Sequence, residues 1–120
     1  MAGGPQVAPY LLRAIAGRTV VAHNARFDLN FLEHEFQRAD VTLTPGIPAV
    51  CTMEWSTRFL VGASRKFADC CSAAGVVHDS AHSAVGDALA TAHLLAYYLK
   101  TGGVPPPWAA TLNAAAPPVT

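Results

Sequence analysis

The chain has 120 residues, of which 52% are hydrophobic and 13% are charged, and its formal net charge is zero. This length fits one globular domain, and the neutral charge excludes binding to nucleic acid through an overall positive field. No apolar run approaches the ~20 residues of a membrane span, and the N-terminus lacks the basic start and apolar core of a secretory signal. The three cysteines provide no disulfide framework, so a cytoplasmic location is expected.

Short stretches of helical and extended patterning follow one another along the chain. Apolar residues at helical spacing predict the helices, β-branched runs predict the strands, and glycines, prolines or capping residues separate them. In chain order, the predicted elements are a helix over 7–16, a strand over 19–22, a helix from the capping residue Asn24 to 39, a turn at 45–46, a strand over 49–52, a helix to 61, a helix capped by Ser64 that ends before 75, and a helix over 84–100 capped by Ser83.

The balance between helices and strands is unusual. Two lone strands rarely form an independent sheet, yet both have the continuous apolar pattern of parallel strands that are covered on both faces. We therefore expect one half of an α/β domain, a partial domain over 1–100. The remainder, 101–120, contains many prolines and no periodic apolar face, and it is predicted to be a Pro/Ala-rich flexible tail.

Two segments contain carboxylates in a pattern that indicates chemistry. In VVAHNARFDLNFL (20–32), Asp28 lies among apolar side chains, where a carboxylate is costly unless another group compensates it. In HSAVGDALAT (82–91), His82 precedes Asp87 by five residues at the entry to a helix. These segments resemble the second and third motifs of the DnaQ-like 3′→5′ exonucleases, in the histidine-containing branch of the family, which includes the proofreading epsilon subunit of bacterial DNA polymerase III. The resemblance covers roughly 5–99.

The resemblance implies a ribonuclease-H-like α/β fold and hydrolysis of phosphodiester bonds with two Mg²⁺ or Mn²⁺ ions, which carboxylate oxygens suit well. In the family, four acidic residues hold the ions. Asp28 and Asp87 match two of them, and His82 matches the general base. His23, Asn24 and Phe27 are the candidates for binding the 3′ end of single-stranded DNA or RNA.

The two other carboxylates of the family come from an Asp-x-Glu motif on the first strand, and the chain contains no such motif. We therefore expect only the C-terminal, helix-rich half of the fold, without the first three sheet strands, and at most one weakly held ion. A truncated exonuclease with little or no activity alone is the main hypothesis, and a DNA polymerase subunit or a complementing chain is the expected protein partner. The alternatives are a non-catalytic remnant that binds nucleic acid or a partner, and a coding sequence that starts upstream of Met1.

Simpler explanations exist for the same residues. Asn24 is equally suited to be a helix N-cap, His23 to be a hydrogen-bonded core histidine, and Asp87 to interact favourably with the first turn of its helix. A rival zinc site would combine Cys70, Cys71, His78 and His82. Adjacent cysteines on a helix point about 100° apart, however, and seldom bind one ion together.

Overall fold

A computed structural model of the chain describes residues 8–42, 46–78 and 83–114. Within these ranges the chain forms six helices and two strands. None of these helices is both long enough and apolar enough to cross a membrane. The elements are, in chain order, α1 (Ala8–Ile15), β1 (Val20–Ala22), α2 (Ala25–Arg38), β2 (Ala49–Cys51), α3 (Thr52–Phe59), α4 (Phe67–Ala74), α5 (Ala84–Gly102) and α6 (Ala109–Ala114).

The two strands form a parallel pair, as the apolar pattern predicts. Val20 lies opposite Ala49, and Val21 opposite Val50. Parallel neighbours need a crossover connection, and α2 provides it. The two strands differ in burial, because Val50 and Cys51 are buried whereas all three residues of β1 are only half-buried. The expectation of two fully covered strands is therefore confirmed at the end of β2 but not at β1, which borders a cleft.

The core lies between β2 and helices α3, α4 and α5. Its centre is Tyr98, which is completely buried and stacks on the Phe59 ring at a centroid distance of 4.8 Å. The Tyr98 hydroxyl donates a hydrogen bond of 2.9 Å to the carbonyl oxygen of Thr52. Burial raises the pKa of Tyr98, so this hydroxyl keeps its proton. The buried cluster comprises Val50, Leu60, Cys70, Leu94, Tyr98 and Trp108.

Trp108 departs from the prediction of a flexible tail over 101–120. Only 5% of its surface is exposed, and its ring contacts Trp55 edge-on at 5.5 Å. Helix α6 begins at the next residue. The prediction is therefore wrong for Trp108 and α6. A single indole ring buries enough apolar area to hold a segment against the core without the repeating apolar face on which the sequence analysis relied.

Candidate functional site

Asp28 lies on the first turn of α2, directly after β1. Asn24 occupies the N-cap position in the left-handed conformation (φ 75°, ψ 56°), but its side chain makes no capping hydrogen bond. Its backbone carbonyl accepts a hydrogen bond from the Phe27 amide at 3.1 Å. The Ala25 amide donates to the sulfur of Cys51 at 3.3 Å. The start of α2 is thus tied to the end of β2, and this tie fixes where Asp28 leaves the backbone.

Asp87 has the matching place on α5, within the first turn. The Ser83 hydroxyl caps this helix as predicted, accepting a hydrogen bond from the Gly86 amide at 2.9 Å. The Thr91 hydroxyl donates to the Asp87 carbonyl at 2.8 Å. A carboxylate in a first turn is favoured by the positive end of the helix dipole. Both aspartates therefore gain some compensation for their charge from their own helices.

The two aspartates line one cleft of about 570 Å³ between β1, α2 and α5. The walls of the cleft are mostly apolar. The two carboxylates are therefore the main charges that a ligand in the cleft would contact. The lining residues are Val21, Ala22, His23, Asp28, Phe67, Asp87, Ala88, Thr91, Ala92 and Leu95. The sequence analysis predicted that Asp28 and Asp87 act together, and the structure brings them to the same cleft.

The two carboxylates have different surroundings. Burial raises the pKa of Asp28 above its ordinary value. Asp87 accepts a hydrogen bond at its Oδ1 from Nε2 of His78, at 3.0 Å. The Asp87 side chain is 45% exposed and the His78 side chain 15%. Within the part of the chain that the structure describes, no comparable partner contacts the Asp28 carboxylate.

His23 lines the cleft with both ring nitrogens already engaged. Its Nε2 lies 2.7 Å from the carbonyl oxygen of Arg65, and its Nδ1 lies 2.8 Å from the Thr52 hydroxyl. Since a carbonyl oxygen only accepts, Nε2 carries the hydrogen and Nδ1 accepts from Thr52. Burial lowers the pKa of His23, which favours this neutral form. The geometry matches the simpler explanation of His23 as a hydrogen-bonded histidine that joins β1 to α3 and to the loop before α4.

The other predicted site residues are less closely associated with the cleft. Asn24 and Phe27 are exposed and do not belong to its lining, and 68% of the Phe27 surface is accessible. His82, the predicted general base, lies outside the described residues. The structure therefore brings together Asp28, Asp87 and His23 from the predicted set.

The rival zinc site finds no support in the described residues. Cys70 and Cys71 are buried, and burial raises the pKa of both thiols. The Cys70 thiol donates to the Ser64 carbonyl at 3.4 Å, while His78 contacts Asp87. No group of three or more His, Cys, Asp or Glu side chains suited to a metal ion occurs across 8–42, 46–78 and 83–114. His82 is again outside these ranges.

The donor chemistry of the cleft fits a hard cation. Asp28 and Asp87 supply carboxylate oxygens, and Mg²⁺ in proteins is commonly bound by one or two carboxylates while it keeps several of its waters. Two carboxylates satisfy that minimum for one hydrated Mg²⁺ or Mn²⁺ ion and fall short of a complete two-ion cage. The carboxylates of the cleft are therefore compatible with a hard divalent cation.

The sequence analysis missed two residues of this site. His78 was considered only as a zinc ligand, and Phe67 was not singled out. In the structure the Phe67 ring contacts two histidine rings, with centroid distances of 5.1 Å to His23 and 4.7 Å to His78. The sequence shows only that a histidine precedes Asp87 by nine residues. That spacing does not predict a contact between the two side chains unless the fold is known.

Comparison with known proteins agrees with the motifs. The exonuclease family model matches residues 4–95. Ribonuclease T of Yersinia pseudotuberculosis is 38% identical over 96 residues, covering 75% of this chain and 45% of the relative. Ribonuclease T of Buchnera aphidicola is 40% identical over 77 residues, covering 62% and 35% respectively. The 3′-5′ exonuclease DinG of Staphylococcus saprophyticus is 31% identical over 91 residues, covering 75% of this chain and 10% of the relative.

The chain spans less than half the length of each of these relatives. No solved structure matches it significantly. The family model, by contrast, covers most of the chain, including the segments of both aspartates. The chain therefore belongs to the DnaQ-like exonuclease family.

Proposed function

We propose that the cleft is part of the active site of a metal-dependent 3′→5′ exonuclease that removes nucleotides from single-stranded DNA or RNA. The observation that carries this proposal is the meeting of Asp28 and Asp87 on one cleft, each from the first turn of a different helix. The named activities of the relatives, ribonuclease T and a 3′-5′ exonuclease, are consistent with it. The three free cysteines are consistent with a reducing cytoplasm.

Each of the candidate site residues would have a separate role in phosphodiester hydrolysis. Asp28 and Asp87 would hold Mg²⁺ or Mn²⁺, and a bound ion would supply Lewis-acid activation of the phosphate and of the attacking water. His82 would take a proton from that water as general base. The exposed ring of Phe27 is available to stack on a terminal base, because every base offers an aromatic face. His23 would shape the cleft wall while its nitrogens remain engaged.

We expect the chain to hold one ion and to cleave little by itself. A two-ion mechanism needs ligands on both ions, and the sequence has no Asp-x-Glu pair to provide the two further carboxylates of the family. Another segment or another chain would have to supply those carboxylates. A complementing chain or a DNA polymerase subunit is the corresponding partner hypothesis.

Titration of the purified chain with Mn²⁺ tests the site. We expect one ion per chain, with affinity reduced at least tenfold by Asp28→Asn and by Asp87→Asn, because each variant removes a charged ligand. The matched control is Asp40→Asn, an exposed aspartate on the turn after α2, which should leave binding unchanged. Binding that ignores both cleft variants would overturn the metal site.

Cleavage of 5′-labelled single-stranded DNA and RNA oligonucleotides in Mn²⁺ tests the activity. We expect at most a faint ladder that shortens from the 3′ end and disappears in Asp28→Asn and in His82→Ala. Robust cleavage that depends on Asp28 would show that two carboxylates suffice, and it would overturn the proposal of an incomplete site. Cleavage that persists in both variants would indicate a contaminating nuclease.

A second candidate function is that of a non-catalytic partner-binding remnant of the fold. It is favoured by the large apolar side chains left exposed on α2 and α5, which include Phe27, Phe31, Val85 and Leu89. Exposed apolar groups in close succession are typical of a surface that another protein covers. Retained oligonucleotide or partner binding in Asp28→Asn, without Mn²⁺ dependence, would favour this candidate.

A further inference from the structure

Among the described residues, His78 is the one that contacts a cleft carboxylate and that the family motifs do not assign. It lies on the segment between α4 and α5, and its Nε2 is 3.0 Å from Oδ1 of Asp87. The contact joins residues nine positions apart, so it is not imposed by helix geometry. It therefore reflects where the fold places the histidine.

The packing around His78 holds its ring in place. The His78 and Phe67 rings form an edge-on contact, with an interplanar angle of 74° and a centroid distance of 4.7 Å. Only 15% of the His78 side chain is exposed. Perpendicular aromatic contacts of this kind stabilise one orientation of the ring. Phe67 is the first residue of α4, and its ring also contacts the ring of His23. This packing holds the His78 ring in the orientation in which Nε2 contacts Asp87.

The hydrogen bond leaves Asp87 able to bind a metal ion. A carboxylate has about four lone-pair positions on its two oxygens, and the contact with His78 uses one of them. No described residue donates a hydrogen bond to Oδ2. Carboxylates that bind metals are generally oriented by hydrogen bonds from neighbouring groups, and loss of such a neighbour typically weakens metal binding 10–100-fold.

We propose that His78 is a positioning residue that fixes the Asp87 carboxylate in the rotamer needed to bind the metal ion. This inference rests on the proposed function of the cleft. Asp28 has no equivalent partner within the described residues, so the orientation supplied by His78 makes Asp87 the preorganised half of the site. The role requires an N–H donor at this position, and the packing on Phe67 helps to hold the donor in place.

The test compares two substitutions at His78 by titration with Mn²⁺ alone. His78→Phe keeps an aromatic ring against Phe67 but removes the donor, and we expect about a tenfold weaker affinity for Mn²⁺. His78→Gln keeps an N–H donor, and we expect a loss of less than about threefold. His93→Gln changes an exposed histidine on α5 and serves as the matched control with unchanged affinity.

A double-mutant cycle separates positioning from a purely structural role. In the Asp87→Asn background, His78→Phe should have no further effect on the remaining Mn²⁺ affinity, because the carboxylate it orients is gone. Far-UV circular dichroism and the unfolding midpoint of each variant report folding separately. A variant that is less stable yet binds Mn²⁺ normally would make the role of His78 structural and overturn the inference.

The remaining outcomes are also distinguishable. Mn²⁺ binding that depends on Asp87 but is equal in wild type, His78→Phe and His78→Gln overturns the positioning role and leaves the proposed function standing. Tighter binding in His78→Phe would show that His78 competes with the ion, which also overturns it. Binding that is insensitive to Asp87→Asn overturns the proposed function and the inference together.

Discussion

The two ends of α5 do different work. Near its N-terminus, Asp87 lines the cleft with a side chain that is 45% exposed, and Leu89 is also exposed. Near its C-terminus, Leu94 and Tyr98 are completely buried, and the Tyr98 ring stacks on Phe59. The buried residues Ala90, Leu94 and Tyr98 lie four positions apart on one face of α5, whereas Leu99 near the C-terminus is 40% exposed. Apolar content alone therefore does not decide which residues of this helix are buried.

The difference shows that packing partners decide which residues of α5 stabilise the fold. The C-terminal end contacts α3 and the Trp108 segment, and an aromatic cluster closes over it. At the N-terminal end the contacts are polar and specific, made by the Ser83 hydroxyl and by His78. Substitutions at one end should therefore change the free energy of unfolding, whereas substitutions at the other should change the affinity for a metal ion.

The largest expected effect is on stability, from Trp108→Ala. Removing a buried indole from a packed aromatic cluster costs about 3–5 kcal/mol, a large share of the ~5–15 kcal/mol by which a small domain is stable. Mn²⁺ affinity under conditions where the variant is folded should be unchanged, because Trp108 lies away from the cleft lining. Urea unfolding followed by circular dichroism measures the change.

Leu112→Ala is the matched control for that prediction. Leu112 lies on α6, four residues after Trp108, and is 45% exposed. Its truncation should therefore lower the free energy of unfolding by about 0.5 kcal/mol or less. Equal losses from the two substitutions would mean that the segment after α5 is not anchored by its tryptophan, and the division between the ends of α5 would then be less sharp than the structure indicates.

A smaller loss of stability is expected from Tyr98→Phe. The substitution keeps the ring on Phe59 but leaves the buried Thr52 carbonyl without the hydrogen bond from the tyrosine hydroxyl, a cost of about 1–2 kcal/mol. Tyr97→Phe, at the half-buried neighbouring position, is the control and should change stability by less than about 0.5 kcal/mol. An unfolding experiment that ranks Tyr97→Phe as the more damaging variant would contradict this account of the core.

Local patterns predicted the elements well because each depends on nearby residues. The helix of Asp28, the Ser83 cap and the parallel pairing of two apolar strands follow from spacing, capping chemistry and β-branching. The burial of Trp108 and the contact between His78 and Asp87 could not be predicted in this way. Both join segments whose proximity depends on the complete packing, and no local periodicity encodes it.

The sequence also predicted that Asp28 and Asp87 lie together, and both line the same cleft. The motifs identified Asp28 and Asp87 as a pair because family resemblance carries information about three-dimensional proximity that spacing alone lacks. The simpler explanation of His23 matches the structure, since its two hydrogen bonds lead to Thr52 and Arg65, far away in the sequence. Asn24 occupies the predicted cap position, yet its left-handed backbone directs the carbonyl, not the side chain, to the helix.

The smallest expected effect is that of Asp28→Asn, at a carboxylate that no described residue contacts by a hydrogen bond. Burial raises the pKa of Asp28 above 3.8, so the folded chain binds its proton more tightly than the unfolded chain does. Between 3.8 and the raised value the folded state therefore holds more protons, and the stability that depends on this group falls as the pH rises through that window. The asparagine variant has no such charge, so its advantage in stability over wild type should grow across the window and then stay constant.

At neutral pH we expect that advantage in stability to be at most about 0.5 kcal/mol, because the Asp28 side chain is only partly buried. Thermal unfolding of both proteins between about pH 3 and pH 7 measures this difference in stability. The difference between Asp40→Asn and wild type, measured in the same way, is the control for an exposed aspartate. An advantage that shrinks with rising pH would mean that a cation or a hydrogen-bond donor already compensates Asp28, and the contrast with Asp87 would disappear.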